Sequence, residues 1–324
     1  MPELLSELDR RIIGALQFDG RASWRRIAEA LDEPLRTVTR RGVELLDSGT
    51  VQVAGMPSQG PTCVIEIACE PARVDAIARE LSEHPGVIFS YALANPTGVL
   101  VEVHEKTFDL ETMTLEIIPS LAGVTGVSAT PVLRYYASHD QWRPGLLSDA
   151  EAALLLAPTA DTVPDDIVTE LGSAEQTIVR MLTEDGRASV TQLAERAEVS
   201  VPTARRKLDS LQRSGAVTMR TLVEPALLGF GVEAGLWIDC APQSVDAIGA
   251  ALASLPEVRY AVRLLGGNAL LVHASARSLG GLRAVIDAPV TELANSVHSS
   301  LIVRAYKRSG RPVLVAREHA AESR

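Results

Sequence analysis

The chain has 324 residues, 46% of them apolar and 22% charged, with few aromatics (4%) and a formal net charge of −10. That length holds two to four domains of roughly 100–150 residues, with cores built from Ala, Val, Leu and Ile. No apolar run approaches the ~20 residues that span a bilayer, and the charged N-terminus has no secretory stretch. A cytoplasmic location is expected.

Cys63, Cys69 and Cys240 form no CxxC pair. Cys63 and Cys69 stand about 20 Å apart on one extended strand, too far to bridge, and read as reduced core residues. The six histidines have no ligand-like spacing, so no metal and no cofactor are called for.

In chain order, Leu8, Ile12, Ile13 and Leu16 recur at helical spacing, and Asp19-Gly20 stops that helix. Ser23 caps a second helix, Trp24 to Leu31, and a third runs from about Pro34 to Asp47. Gly49 closes it and an extended segment begins at Thr50. A period-2 strand follows, with Cys63, Ile65, Ile67 and Cys69 on one face and Val64 and Glu66 on the other. Next come a helix from Pro71 to about Glu83, strands near Val87–Leu93 and Gly98–His104, a helix from about Phe108 to Ile118, and a strand near Val127–Tyr136.

The chain then repeats itself. Asp19-Gly20-Arg21-Ala22-Ser23 recurs word for word as Asp185-Gly186-Arg187-Ala188-Ser189, an offset of 166 that also aligns Leu16 with Leu182 and Arg40 with Arg206. Val74-Asp75-Ala76-Ile77 recurs as Val245-Asp246-Ala247-Ile248, at offset 171. The order is a fused duplication. Helix-turn-helix domains are expected at 1–55 and 173–224, sensor domains at 60–137 and 229–310, and a linker at 138–172 with one or two Ala/Leu-rich helical turns around Asp149–Ala157, whose prolines and five aspartates suit an exposed connection.

In the second copy Ser189 caps Val190–Ala197, Ser200 caps Val201–Gln212, and Gly215 ends that helix. Ala204, Leu208 and Leu211 face inward, while Thr203, Arg205, Arg206 and Lys207 face outward with Arg213 at the end. The first copy offers Arg36, Thr37, Thr39, Arg40 and Arg41. A basic, Thr-bearing helix after two short ones is what a helix-turn-helix lays in the major groove, Arg reading guanine and Lys meeting phosphate. These residues with Ser200 are the candidate DNA contacts; the bland reading is a solvated charged face on a three-helix bundle. Gly42 stands where the second copy has Leu208, so the first module is expected to be the looser.

The second sensor runs Val232–Cys240, Gln243–Ser254, Val258–Leu264, Asn268–Ala274, Leu279–Asp287 and Ser296–Lys307. The fold class is α+β: two winged-helix/helix-turn-helix domains alternating with two βαββαβ ferredoxin-like domains. Each sheet leaves one face bare, to be covered by the other copy's sheet. Gly-rich loops at Thr97-Gly98 and Gly266-Gly267-Asn268 allow close backbone approach to a small ligand, or are plain hairpin turns.

Helix-turn-helix, extended hinge and βαββαβ in this order resemble the Lrp/AsnC (feast/famine) regulators over Leu8–Val53 with Thr62–Tyr136, and over Ser173–Gly229 with Val232–Arg308. Ser214-Gly215-Ala216-Val217 through Val223-Glu224-Pro225-Ala226-Leu227-Leu228-Gly229 is the most specific piece. The resemblance implies a DNA-binding regulator, not an enzyme, that assembles as a homo-oligomer on double-stranded DNA. It also implies an amino acid or related effector bound near Thr97, Gly98, Gly266, Gly267 and Asn268 at a subunit interface. Neither loop carries the acidic residue usual there. Siroheme decarboxylases share the layout, but they depend on histidine and a Tyr/Asn/Trp-bearing stretch near the third sensor strand. Here those places read Thr97-Gly98-Val99-Leu100-Val101 and Asn268-Ala269-Leu270-Leu271-Val272. A sensor or scaffold that has lost DNA binding is a third reading, to which Gly42 and the net negative charge point.

Overall fold

A computed structural model describes residues 4–57, 60–104, 110–139, 142–156, 171–267 and 269–313. The chain divides into two compact units that do not follow its order: Met1–Gly60 with Ser138–Gly229, and Pro61–Ala137 with Phe230–Arg324. The two helical modules gather in the first and the two sensor modules in the second.

In the first unit, α1 (Glu7–Phe18), α2 (Trp24–Leu31) and α3 (Leu35–Asp47) form one module; α8 (Ser173–Glu184), α9 (Val190–Arg196) and α10 (Val201–Arg213) form the other. Ser6, Ser23, Ser189 and Ser200 accept a hydrogen bond from a backbone N–H of the first turn they precede, each such cap being worth about 1 kcal/mol. Ile178, Leu182, Leu193, Leu208 and Leu211 pack the second module's core. Strands β1 (Gln52–Pro57) and β6 (Val217–Leu222) pair antiparallel with Ala54 opposite Arg220, its own equivalent at offset 166. A local two-fold axis therefore passes through this ribbon.

The same axis relates the two repeated words. Arg21 donates to the carbonyls of Gly186 and Ala188 (Nη2 to Ala188, 2.8 Å). Arg187 donates in return to Gly20 (2.6 Å) and Ala22 (2.9 Å). Burial pulls both guanidiniums below the usual arginine range. Glycine is needed in each word, because a Cβ on Gly20 would lie 2.8 Å from the Val53 side chain and one on Gly186 2.9 Å from the Ala54 nitrogen.

The linker corrects an expectation. Its described part is not a free connection: α7 (Asp149–Leu155), closed by a Ser148/Glu151 capping box, packs on the first module. Glu151 holds Arg11 (2.6 Å), Arg26 donates to the carbonyls of Leu154 and Leu156 (3.1 Å each), and Trp142 and Leu155 are buried. Leu155 decides this among its acidic neighbours, since it leaves water only because α7 lies on α1 and α2, while Leu154 and Leu156 stay exposed.

The second unit holds β2 (Thr62–Cys69), α4 (Val74–Glu83), β3 (Val87–Ala94), β4 (Thr97–His104), α5 (Leu110–Thr112) and α6 (Ile118–Ser120) joined by a π-turn at Met113–Ile117, and β5 (Val124–Ala137). It also holds β7 (Val232–Cys240), α11 (Val245–Ala253), β8 (Val258–Leu264), β9 (Leu270–Ala276), α12 (Leu279–Ile286), β10 (Ala294–Arg308) and the short β11 (Arg311–Pro312). Phe108, where the first sensor's second helix was expected to begin, lies outside the described residues. Each sensor orders its strands as last–first–third–second, and the edges join: β5 pairs with β8 and β10 with β3. The sheet thus closes on itself and leaves neither long edge bare. Cys63, Ile65, Ile67 and Cys69 pack under the first sensor's helices, and all three cysteines are buried and in no disulfide among the described residues. The opposite face meets the other copy: Val64, Phe89, Tyr91 and Leu100 pack with Trp237, Tyr260, Val262 and Leu271.

The second repeated word closes this pairing from outside. Asp75 accepts from the Tyr306 hydroxyl and pairs with Arg304 (2.7 Å); Asp246 accepts from the Tyr136 hydroxyl and pairs with Arg134 (3.3 Å). Hydrogen bonding to these tyrosines, and the arginines beside them, hold both carboxyls below their usual range. Among the described residues no helix is long and apolar enough to cross a membrane.

Candidate nucleic-acid interface

Helices α3 and α10 present the candidate DNA residues, and the structure sorts them. Arg36, Arg205 and Arg206 are exposed and form no ion pair among the described residues. Arg40 is exposed but tied to Glu44 at 2.8 Å, whereas the second copy has Ser210 at that place. Thr37, Thr39 and Thr203 are half-buried, and the Thr203 hydroxyl lies 2.9 Å from that of Ser200. Ser200 spends its oxygen on the helix N-cap. Arg213 turns back to the Asp209 carbonyl at 3.2 Å.

Two members of the basic set hold the module rather than face outward. Arg41 donates to both carboxylate oxygens of Asp9 (Nε to Oδ1, 2.8 Å), and Asp9 is buried. Burial alone would raise the Asp9 pKa, but hydrogen bonds from Arg41 and Ser6 bring it below the usual carboxylate range. Lys207 makes the equivalent bridge to Glu175 at 3.0 Å, which with the Gly172 N–H lowers the Glu175 pKa. Both pairs fix the recognition helix to the module's first helix. An acidic residue in the first turn of α1 and of α8, in line with an otherwise apolar stripe, was the sequence signal for this clamp.

Gly42 is the other correction. Trp24 fills the gap: a Cβ on Gly42 would sit 2.3 Å from the indole. The second copy meets the same need with Val190 and Leu208. The first module is therefore packed by a different large–small pair, not left loose. Arg187 lies over the same indole, with its guanidinium carbon 4.5 Å from the ring centroid.

The two glycine-bearing loops lie at the seam where the sensor sheets join. The Asn95 N–H donates to Ser300 Oγ (3.0 Å), and the Leu265 N–H to the Pro131 carbonyl (3.0 Å). Thr97 is exposed and its hydroxyl donates to Ala94. Gly98 answers to the sheet, because a Cβ there would stand 2.6 Å from the Ile67 oxygen. Gly266 and Gly267 are exposed, with open space beside Gly267. Asn268 lies outside the described residues.

Between the joined sheets is a buried polar layer that sequence reasoning missed. Glu233 accepts from Arg308 (2.6 Å), Arg259 (3.0 Å) and Ser275 (3.2 Å). Burial pushes its carboxyl up, but the two guanidiniums hold it below the usual range. Glu102 accepts hydroxyl hydrogens from Tyr135 (2.5 Å), Thr62 (2.9 Å) and Tyr260 (3.0 Å). His273, Glu102's counterpart at offset 171, stacks on Tyr260 at 4.6 Å and meets Phe89 edge-on at 4.9 Å. Burial and the nearby Arg259 and Arg308 lower its pKa to about 3. Glu102 alternates with apolar residues on a strand, the one pattern that could have placed it on the inner face.

Comparison with known proteins places both kinds of module. The model described as the Lrp/AsnC ligand binding domain matches residues 233–312, the AsnC-type helix-turn-helix domain 5–45, and a helix-turn-helix domain 177–220. The chain is similar to an HTH-type transcriptional regulator of Pyrococcus abyssi, with 30% identity over 118 residues, 36% of this chain and 75% of that protein. It is also similar to the leucine-responsive regulatory protein of Rhizobium meliloti, with 29% identity over 144 residues, 43% of this chain and 92% of that one. Among solved structures the siroheme decarboxylase NirDL has the same fold, with a TM-score of 0.62 over 95% of this chain and 94% of its own at 13% identity.

Proposed function

We propose that this chain, which belongs to the Lrp/AsnC family, is a transcription regulator that binds double-stranded DNA through α3 and α10 and answers to a small metabolite at the sensor seam. The observation that carries this reading is a basic outward face on the same helix of both copies, each helix anchored from behind by the same kind of ion pair. Arg36, Arg205 and Arg206 are the residues free to read base edges or meet phosphate, with Thr37, Thr39, Thr203 and Arg40 beside them. Arg41, Lys207 and Ser200 hold the helices in place.

Genomic fragments retained by the purified protein, tested by electrophoretic shift, check the reading. Losing Arg206 costs about 1–3 kcal/mol of DNA affinity if it reads a base. Arg40→Ala costs less, since Arg40 is shared with Glu44. Equal losses refute that ranking, and a protein that retains no fragment is a sensor or scaffold. Metabolite binding near Thr97, Gly98, Gly266, Gly267 and Asn268 is checked by thermal-shift screening of wild type and Gly267→Val. A compound that stabilises both equally does not sit on that loop. A ligand there regulates only by favouring one arrangement of the paired sensors, with coupling to DNA of the order of 1–3 kcal/mol.

The chain is read as non-catalytic. The histidine on the third strand of the second sensor, His273, is packed among aromatic rings and holds a pKa of about 3, which leaves it a poor proton acceptor near neutral pH. Added siroheme left spectroscopically unbound by the purified protein is the expected result. The cytoplasm is the compartment that fits a DNA-binding regulator. Association of chains, for which exposed Leu133, Leu301 and Val303 offer apolar surface, is read by light scattering.

A further inference from the structure

We infer that one copy of this chain reads a complete bipartite DNA site whose two halves are unlike in sequence and fixed in spacing and orientation. This rests on the reading of α3 and α10 as recognition helices. Two observations carry it beyond that reading.

The first is that the pairing of the two helical modules is built into one chain and made reciprocal. Strands β1 and β6 pair about a local two-fold axis at Ala54 and Arg220. Arg21 and Arg187 each donate to two carbonyls of the opposite module. The Gly186 N–H also bonds the Val53 carbonyl (2.8 Å), and the Thr221 hydroxyl the Leu16 carbonyl (2.7 Å). A pair of helix-turn-helix modules related by a two-fold axis meets two half-sites in inverted orientation about one helical turn apart, because duplex DNA has the same local symmetry. Here the axis is supplied without a second chain.

The second is that the axis relates modules whose supports match but whose outward faces do not. Behind each helix the clamp is kept, Asp9–Arg41 in one and Glu175–Lys207 in the other. On the outward face, Thr37 matches Thr203 and Arg40 matches Arg206, so part of each half-site is shared. Arg36 instead faces Pro202, and Thr39 faces Arg205. Arginine can pair bidentately with guanine where proline offers no donor and threonine a single hydroxyl. The charged reader therefore sits three residues earlier in the first helix than in the second. In a dimer of identical chains such a difference cannot arise; in a fused chain nothing averages it away.

The test is selection of binding sequences from a random duplex pool by the full-length protein, followed by titration of the selected duplex. We expect an inverted pair of half-sites that agree at some positions and differ at others, bound by one chain per duplex. Replacing one half by the inverted copy of the other lowers affinity roughly tenfold, in keeping with one or two mismatched base pairs. Inserting about 5 base pairs between the halves puts them on opposite faces of the duplex and reduces binding to that of a single half-site. The variant Arg36→Pro/Thr39→Arg, whose fold is checked by its melting temperature, gives the first helix the second's outward residues and selects a more symmetric site. A perfectly symmetric site for the wild type, two chains per duplex, or indifference to the insertion overturns the inference while leaving DNA binding intact. A protein that selects no sequence at all overturns the underlying reading instead.

Discussion

The two helical modules reach one geometry by different residues, and the comparison separates what the fold demands from what was free to change. Behind α3 the core is closed by Trp24 over Gly42; behind α10, by Val190 and Leu208. One buried carboxylate with an arginine anchors α3, while a half-exposed carboxylate with a lysine anchors α10. Volume and charge are conserved as pairs, not as residues. Close packing explains this, since an interior tolerates exchange only if the summed volume is kept.

The largest effect that would break the comparison is at Gly42. Gly42→Leu drives a side chain into the indole and should cost about 3 kcal/mol, the upper part of the usual overpacking range. Adding Trp24→Val installs the second copy's pair and should recover most of it, read as the midpoint of urea unfolding. If the double variant is no better than the single, the two modules are not packed alternatives of one design.

The next test sets the two clamps against each other. Arg41→Ala strands the buried Asp9 carboxylate and should cost about 2–3 kcal/mol, somewhat below a fully buried pair because Arg41 itself is a third exposed. Lys207→Ala breaks a pair whose members are both 27% exposed and should cost less than about 1 kcal/mol. Similar losses at the two sites would show that burial of Asp9 does not set the difference.

The last test belongs to the sensor unit, where the copies also diverge, Glu102 in one and His273 at its counterpart, and its effect vanishes near neutral pH. Below about pH 6.5 the unfolded chain takes up a proton on His273 that the folded chain refuses until about pH 3. The native state therefore loses stability as pH falls through that window, by at most about 1.4 kcal/mol per pH unit. Glu233, held low by its arginines, adds a further loss once the pH falls through the usual glutamate range, where the unfolded chain takes up a proton that the folded carboxylate refuses. His273→Phe keeps a ring between Phe89 and Tyr260 but binds no proton, so its melting temperature should fall less between pH 6.5 and 4.5 than that of the wild type. Parallel curves would mean that His273 titrates normally.

Much of this was legible in the residues. Local signals placed the elements: a serine before each short helix, alternation along each strand, and a word repeated at offset 166. What those words do was not legible. Arg21 and Arg187 stand in the same five-residue run, but only the folded chain brings each guanidinium to the other run's carbonyls. Asp75 and Asp246 likewise meet tyrosines far along the sequence. Arg41 and Lys207 read as outward cations, because a helix pattern gives the angle of a side chain but not the carboxylate waiting across the groove.

By itself, then, the sequence determined periodicity, capping and duplication, which are short-range properties set by backbone sterics and by which face of an element is apolar. The tertiary structure alone decided how the copies combine. It gathered like modules from distant parts of the chain, closed two open sheets into one and turned Arg41 and Lys207 inward to the modules' own acids. The physical reason is that unpaired strand edges, bare apolar faces and buried carboxylates are each costly alone, and their partners lie more than a hundred residues away or on another helix, where no local pattern points.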